Sequence, residues 1–396
     1  MQISDRLRNI KPSLTLSVNA KALELRKQGI DVLSLAVGEP DFPTPWHVCE
    51  AAKTAIDENF CRYTAVPGIS EVRAAAGKYF QRIYNVDVPP ESIVMGNGGK
   101  HCIYNFLQAT LNKGDEVLIP GPYWLSYPDM TELAGGVAVI VPAGTEQDFK
   151  VTPEQLAAKA TPRTKLLIMN SPSNPTGAVY SPDELDAIMQ WAMDNDIFVL
   201  ADEIYDQLVY PPATMKSAIS WFAKYPDKVA VLNGLSKSFA MTGWRVGFLA
   251  AHPDLIKKIS SMQGHSTSNI CSIAQRAALA ALEGPFDSVA AMRNAFMQRR
   301  NKGIAVVSTW PFAVCPRPDG AFYLFVDVHK CFGGSVKNSP ELCNLLLDRV
   351  HVALVPGAAF GDDNCVRLSY AVADDVLLTA LERVGGVLNE LYNEVK

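Results

Sequence analysis

Short, almost wholly apolar runs recur along the first two thirds of the chain, and a segment with helical character follows most of them. Strands that are buried on both faces of a sheet read as continuous apolar runs rather than as alternating ones. Strands that alternate with helical segments predict a parallel sheet with helices on both faces, which is an α/β fold. The predicted strands are 92–95, 116–119, 137–141, 165–169, 197–200 and 229–232.

The two ends of the chain follow a different pattern. Near the N-terminus we predict a strand over 32–37 and helices over 20–28, 45–58 and 69–84. After Gly247 the chain reads as rich in helix, and Gly284-Pro285 marks a boundary. Beyond it we predict helices over 291–307 and 340–350, strands over 321–328, 352–355 and 366–371, and a closing helix that ends at about 392. This mixture is typical of an α+β domain. The predicted division is an N-terminal segment 1–45 that packs with the small domain, a large domain 46–283, and a small C-terminal domain 284–396.

Composition narrows the class of protein. The 396 residues are 48% hydrophobic and 19% charged, as expected for two domains with a large buried interior. The net charge is -5 and no long basic block is present, which argues against nucleic acid as the main partner. The eight cysteines contain no C-x-x-C pair, so we expect free thiols and no metal site. No apolar run predicts a signal peptide or a membrane span, and we expect a cytoplasmic protein without a membrane partner.

Residues with unusual chemistry collect at one place in the predicted sheet. They lie at or just past the carboxyl ends of the predicted strands, where open α/β sheets bind their ligands. Residues that only fill a core would have no reason to concentrate there. These residues are Gly99, Trp124, Asn174, Asp202, Tyr205 and Lys237.

The stretch around Lys237 indicates the kind of ligand. Lys237 follows the predicted strand 229–232 and is surrounded by small residues, which let a bulky group approach the backbone. A desolvated lysine beside another cation has a lowered pKa and becomes an amine nucleophile. Arg245 lies eight positions later, and its guanidinium can hold two phosphate oxygens. A nucleophilic lysine with a phosphate anchor suits pyridoxal 5'-phosphate, whose aldehyde forms a Schiff base with lysine.

The same stretch resembles the lysine signature of the class I/II aminotransferases. The shared pattern is small-x-small-Lys followed by small-x-Arg-x-Gly, and similarity extends from about residue 30 to about residue 372. The resemblance implies the fold of pyridoxal-phosphate-dependent transferases (fold type I), with a mostly parallel seven-stranded sheet in the large domain and a smaller α+β domain. It also implies pyridoxal 5'-phosphate as the cofactor and Lys237 as the catalytic residue that carries it.

Further roles are carried over from the family to matching positions. Asp202 resembles the aspartate that pairs with the pyridine nitrogen, and a carboxylate there keeps that nitrogen protonated. Asn174 and Tyr205 resemble the two donors to the phenolic oxygen of the cofactor. Trp124 resembles the aromatic residue that stacks on the cofactor ring.

The phosphate side of the cofactor is matched less completely. Gly99 and Lys100 begin a predicted helix after a glycine-rich turn, and free N–H groups at a helix start bind phosphate. Together with Arg245 they resemble the phosphate site of the family. Many members also have a phosphate-binding serine three residues before the lysine, where this chain has Gly234. We therefore expect that hydrogen bond to be absent or to come from another group.

The substrate and the partner subunit are implied by the same resemblance. Arg367 resembles the arginine that clamps the substrate α-carboxylate, a task suited to a bidentate guanidinium. Gly38 resembles the glycine whose N–H assists, while Trp124 and Asn174 also face the substrate. Tyr63 resembles a tyrosine that reaches the phosphate of the other subunit, which implies a homodimer with shared active sites.

Within the family, the overall pattern looks like the bacterial aspartate aminotransferases, some of which use prephenate. In that subgroup, the lysine after two glycines helps to bind the second carboxylate of a dicarboxylic substrate, and an N-terminal lysine closes over it. Lys100 and Lys11 occupy these positions. We expect aspartate and glutamate as donors and 2-oxoglutarate or oxaloacetate as acceptors, and prephenate stays open.

Two other classes of function are weighed against this one. An aminotransferase of aromatic or alanine specificity, or a lyase or decarboxylase on the same scaffold, is compatible with the fold and cofactor. An aminotransferase-like sensor domain of a transcription regulator needs a DNA-binding segment before it. We disfavour that alternative because the resemblance starts within about thirty residues of Met1.

Overall fold

A computed structural model describes residues 3, 4, 7, 8, 10 and 14–396, with side chains in the continuous part described from residue 17. The helices are α1 (Leu14–Lys27), α2 (Trp46–Asp57), α3 (Ser70–Tyr84), α4 (Gly99–Thr110), α5 (Ser126–Leu133), α6 (Pro153–Lys159), α7 (Pro182–Asp194), α8 (Ile219–Phe222), α9 (Pro253–Gly264), α10 (Ser272–Glu283), α11 (Asp287–Val307), α12 (Ser339–Val350) and α13 (Asp374–Val395). The strands are β1 (Leu33–Ser34), β2 (Ile93–Asn97), β3 (Glu116–Gly121), β4 (Val137–Pro142), β5 (Thr164–Asn170), β6 (Phe198–Asp202), β7 (Val229–Gly234), β8 (Val246–Ala250), β9 (Tyr323–Asp327), β10 (Val352–Ala353), β11 (Val355–Pro356) and β12 (Cys365–Ser369).

A seven-stranded sheet organises the larger part of the chain, in the order β2-β8-β7-β6-β5-β3-β4. Neighbours from β7 to β4 run parallel, and β8 runs antiparallel to both β2 and β7. All the strands predicted from apolar runs between residues 92 and 232 are present. The predicted α/β fold with a mostly parallel sheet is therefore confirmed.

The helix-rich stretch expected after Gly247 is present as α9, α10 and α11, but the strand β8 over 246–250, which the sequence did not predict, comes before it. This strand continues directly from the lysine signature, and the last glycine of the signature, Gly247, lies within it. The position of β8 explains why the signature has glycine at 247. A Cβ atom on Gly247 would lie 2.5 Å from the backbone nitrogen of Gly99. Glycine at 247 thus lets β8 pass close to the start of α4.

The outer predicted elements differ from the structure in their extent. Helix α1 begins at Leu14 rather than at residue 20. The strand predicted over 32–37 is reduced to β1, which pairs with β10. The ladder between β1 and β10 does not continue past Leu35, because the backbone of Leu35 bonds to two different segments. Its N–H donates to Ala353 O at 2.9 Å, and its carbonyl accepts from Ser369 N at 2.7 Å. The strand predicted over 352–355 is likewise divided between two sheets, with β10 beside β1 and β11 in the antiparallel sheet β11-β12-β9.

Apolar residues fill both faces of the large sheet. One face packs on α4 through Phe106 and Leu107, and the other packs on α3 and α10 through residues such as Phe80 and Ala277. A second core surrounds the C-terminal sheet and includes the inner face of α13. Burying these side chains supplies roughly 1.5–3 kcal/mol for each large apolar residue. The two cores place the carboxyl ends of the parallel strands against β9 and β12.

Candidate active site

A cavity of about 440 Å³ lies at the carboxyl ends of the parallel strands, next to the start of α4. Residues of the C-terminal sheet close one side of it. Most of the predicted site residues line this cavity, and they are Gly38, Gly99, Lys100, Trp124, Asn174, Asp202, Tyr205, Lys237, Arg245 and Arg367. Tyr63 does not line it and is 91% exposed. Lys11 lies outside the described residues, so its predicted place stays a prediction.

Lys237 follows β7 and points its amine into the cavity. The Nζ atom donates a hydrogen bond to the carbonyl oxygen of Gly38 at 2.5 Å. Burial lowers the pKa of Lys237 to about 8, and the charges of Arg367 and Arg245 act in the same direction. About a tenth of the amine is then unprotonated at pH 7, compared with well under a thousandth for an exposed lysine. The site therefore makes Lys237 a usable nucleophile.

Asp202 ends β6 and is buried beneath the cavity. Its Oδ2 accepts a hydrogen bond from the hydroxyl of Tyr127 at 2.7 Å, and its Oδ1 accepts from the N–H of Ile204 at 3.1 Å. Burial raises the pKa of Asp202 to about 6, although both hydrogen bonds and the charge of Lys237 oppose the rise. A carboxylate that lacks solvent gains strongly from a bound cation. Asp202 is suited to pair with a protonated ring nitrogen.

Arg367 lies on β12 and is buried. Its Nη1 donates to Asn174 Oδ1 at 2.9 Å and its Nη2 donates to Ala36 O at 2.8 Å. Among the described residues, its Nε has no hydrogen-bond partner and no carboxylate forms an ion pair with the guanidinium. A buried cation without an anionic partner is costly. A carboxylate ligand in the cavity would supply that partner.

The hydrogen bond from Arg367 orients the amide of Asn174. Because Oδ1 faces the guanidinium, Nδ2 is left to donate elsewhere. The segment is also held by Asn170, whose Oδ1 accepts from Asn174 N at 2.9 Å and whose Nδ2 donates to Asp202 O at 3.0 Å. Asn174 and Asp202 are thus fixed relative to each other.

The phosphate side of the cavity combines a glycine turn with an arginine. The guanidinium of Arg245 donates to Thr242 O at 3.0 Å and to Asn97 O at 3.3 Å. Gly98 has a φ of +83°, and a Cβ atom there would lie 2.4 Å from Nη2 of Arg245. Helix α4 begins at Gly99, and the first N–H groups of a helix have no acceptor within it. These donors fit a phosphate group.

The glycine at 234 follows from packing. A Cβ atom on Gly234 would lie 2.8 Å from Cδ1 of Ile204 and 3.1 Å from Cα of Gly247. Serine would therefore force a neighbour to move. Ser236 is buried and lines the cavity, so its hydroxyl is a candidate for the missing phosphate donor.

Lys100 and Trp124 contact each other at the cavity wall. The ammonium of Lys100 lies 4.9 Å from the centre of the Trp124 ring, within the range of a cation–π interaction. Partial burial lowers the pKa of Lys100, and the charge of Arg245 adds to this effect. Lys100 thus lines the same cavity as Arg367, and two cations are available to one ligand.

Sequence reasoning missed Tyr127, Tyr323 and Ser236. Tyr127 holds Asp202, and the Tyr323 hydroxyl lies 2.8 Å from that of Tyr205. Tyr323 stands within an almost continuous apolar strand and looks like a core residue. Tyr127 could have been suspected, since it follows shortly after the predicted strand 116–119. Ser236 directly precedes Lys237, and that adjacency is the sequence signal that could have indicated it.

The donor set agrees with a cofactor that carries an aldehyde, a basic ring nitrogen and a phosphate. Lys237 could bind the aldehyde, Asp202 could pair with the ring nitrogen, and the Gly98 turn with Arg245 could hold the phosphate. The fold and site therefore define a pyridoxal-phosphate-dependent enzyme of the α/β transferase class.

Comparisons with known proteins give the family. The family model "Aminotransferase class I and II" matches residues 30–384. An aspartate/prephenate aminotransferase of Cereibacter sphaeroides is 44% identical over 389 residues, covering 96% of this chain and 97% of the relative. An aspartate aminotransferase of Geobacillus stearothermophilus is 42% identical over 385 residues, covering 97% and 98%. The solved structure of the aspartate aminotransferase of Thermus thermophilus with maleate is 39% identical and has a TM-score of 0.92. The match covers 98% of this chain and 100% of that chain.

The chain belongs to the class I and II aminotransferase family. It is a pyridoxal-phosphate-dependent aminotransferase of the aspartate aminotransferase subgroup. Its substrates are therefore amino acids and 2-oxo acids. In the part of the chain that the structure describes, no helix has the length and apolar character that crossing a bilayer requires.

Proposed function

We propose that the protein transfers the amino group of aspartate or glutamate to 2-oxoglutarate or oxaloacetate, with prephenate as a further acceptor to test. The observation that supports this most is the buried guanidinium of Arg367, which forms no ion pair with any described carboxylate and lines one cavity with Lys237, Asp202 and Lys100. Two cations suit a substrate with two carboxylates. The named relatives act on aspartate, and one solved relative holds maleate, which is also a dicarboxylic acid.

The residues around Lys237 carry the chemistry in this proposal. When bound, pyridoxal phosphate supplies an electron sink for the substrate α-carbon. Lys237 would hold the cofactor through Nζ, and its amine would move the α-proton of the substrate. Asp202 holds the proton on the ring nitrogen, and Tyr127 keeps its carboxylate in place. Asn174 Nδ2 and the Tyr205 hydroxyl donate to the phenolic oxygen.

The remaining residues hold the ends of cofactor and substrate. Gly99, Ser236 and Arg245 bind the phosphate, together with Tyr63 from a second copy of the chain. The 91% exposure of Tyr63 in one subunit leaves it available for that contact. Trp124 stacks on the ring.

Three residues bind the carboxylates of the substrate. Arg367 binds the α-carboxylate with help from the N–H of Gly38, and Lys100 binds the distal carboxylate. A charge-assisted hydrogen bond of roughly 1.5–3 kcal/mol corresponds to about ten- to 150-fold discrimination between aspartate and alanine.

The substrate class is tested by comparing donors in Lys100→Ala. The rate at which each donor changes the absorbance of the bound cofactor is measured for aspartate, glutamate, alanine and phenylalanine. We expect a loss of about ten- to 150-fold on aspartate and glutamate and little change on alanine. Lys113→Ala removes an exposed lysine after α4 and serves as the control. Equal losses on all donors would assign Lys100 to the phosphate side and leave the substrate open.

The lyase alternative is separated by the products. Transamination of aspartate with 2-oxoglutarate yields oxaloacetate and glutamate in equal amounts. Release of carbon dioxide or ammonia at the rate of aspartate consumption would instead support a decarboxylase or lyase.

We also propose the division into 1–45, 46–283 and 284–396 and a cytoplasmic location. The helical break between α10 and α11 supports the second boundary. Packing of Ala22, Val32 and Ala36 with Phe325 supports attachment of the N-terminal segment to the small domain. Limited proteolysis that cuts first near 284 would agree with this division, and early cuts within 46–283 would argue against it.

A further inference from the structure

The hydroxyl of Tyr323 lies beside that of Tyr205 inside the cavity. The two oxygens are 2.8 Å apart, and the residues are 1% and 3% exposed. Tyr205 comes from the turn after β6 of the large sheet, whereas Tyr323 begins β9 of the C-terminal sheet. Solvent therefore does not compete for this bond, and a hydroxyl pair bridges the two sheets.

The direction of the hydrogen bond follows from the task of Tyr205. Burial raises the pKa of both tyrosines, so both hydroxyls keep their protons. If the Tyr205 hydroxyl donates its hydrogen bond to the phenolic oxygen of the cofactor, its own oxygen can only accept from Tyr323. A hydrogen bond that is accepted makes a hydroxyl a stronger donor, because bonds in a chain polarise one another.

The ring of Tyr323 has a separate contact. The guanidinium carbon of Arg367 lies 4.5 Å from its centre, and Phe360 covers the guanidinium at 4.9 Å. A Cβ atom on Gly38 would lie 2.7 Å from the Tyr323 hydroxyl, so glycine there admits the tyrosine. Tyr323 thus touches residues proposed to bind the cofactor and residues proposed to bind the substrate.

We propose that Tyr323 is a positioning residue with two separable parts: its hydroxyl donates to Tyr205 and aims the Tyr205 proton at the phenolic oxygen, and its ring holds the guanidinium of Arg367. This inference rests on the proposed function. The charged groups that face the tyrosine pair are Arg367 on β12, Asp202 on β6 and Lys237 after β7.

The hydroxyl is tested by a double-mutant cycle on the loaded enzyme without substrate. The readout is the pH midpoint of the absorbance change of the bound cofactor. A donor to the phenolic oxygen draws electron density from the neighbouring imine nitrogen, so its loss raises the midpoint. We expect Tyr205→Phe to raise the midpoint and Tyr323→Phe to raise it by roughly half a pH unit. The double variant should match Tyr205→Phe, since Tyr323 acts through Tyr205.

Tyr370→Phe is the matched control. Tyr370 is also fully buried near this sheet, but its hydroxyl bonds to Ala321 O at 3.4 Å and not to Tyr205. It should leave the midpoint unchanged. An unchanged midpoint in Tyr323→Phe, beside a shifted one in Tyr205→Phe, would overturn the inference and leave the proposed function standing. Additive shifts in the double variant would also overturn it. No shift in Tyr205→Phe would refute the role of Tyr205 itself.

The ring is tested by comparing Tyr323→Phe with Tyr323→Leu. Phenylalanine keeps the aromatic face under Arg367, so KM for aspartate should stay within about twofold of wild type. Leucine removes that face and should raise KM several-fold more than phenylalanine does. Equal KM values in the two variants would refute a supporting role for the ring.

Discussion

Substitution of Gly98 by alanine tests the phosphate side of the site most directly. The new Cβ atom would lie 2.4 Å from Nη2 and 2.8 Å from Cζ of Arg245, so the guanidinium must move. The backbone would also keep alanine at a φ of +83°. With a ψ of 164° this backbone conformation is essentially confined to glycine, and it costs roughly 1–3 kcal/mol for a residue with a side chain. Displacing Arg245 removes a charge-assisted bond of roughly 1.5–3 kcal/mol.

These two costs are measured by different assays. The backbone strain lowers the free energy of unfolding, which is measured by denaturant titration of the apo protein. The displaced arginine weakens binding of pyridoxal phosphate about ten- to 150-fold, which is measured by equilibrium titration of the apo protein. Gly114→Ala is the matched control, because Gly114 has a φ of +89° with nothing within 4 Å of an added Cβ. It should lose stability without losing cofactor affinity. If Gly98→Ala bound the cofactor as tightly as wild type, Arg245 would not be its phosphate anchor.

Three further outcomes are expected. Lys237→Ala should abolish transamination and the visible absorbance of the Schiff base on Lys237 while the fold remains, and retained activity would end the proposal. In wild type, the rate at which the apo protein combines with the cofactor should rise with pH through about 8, since only the unprotonated amine reacts. Asp202→Asn should slow α-proton removal by orders of magnitude and weaken cofactor binding less, as measured in single turnovers; an unchanged rate would mean that another group protonates the ring. Mixing Tyr63 and Lys237 variants should restore some activity, because one site of each heterodimer is intact; no recovery after verified mixing would count against Tyr63 reaching across subunits.

Local sequence was enough for much of the fold and for the centre of the site. Continuous apolar runs predicted the parallel strands, because burial on both faces demands them. Since parallel strands end at a common edge, Asn174, Asp202 and Lys237 could be placed together before any contact was known. The resemblance to a family added Gly38 and Arg367, which lie far away in the chain but line the same cavity.

What the sequence could not decide depends on contacts between distant elements. Tyr323 lies in a strand of buried apolar neighbours, and only the packing of β9 against the turn after β6 reveals its bond to Tyr205. The crowding of Gly234 by Ile204 and Gly247 is invisible in a local pattern, as is the partner of Tyr127. The pKa values of Lys237 and Asp202 also arise from burial, which follows from the whole packed structure. Residue type along a strand is a local property, whereas hydrogen-bond partners, free space and solvent exclusion are set by tertiary packing.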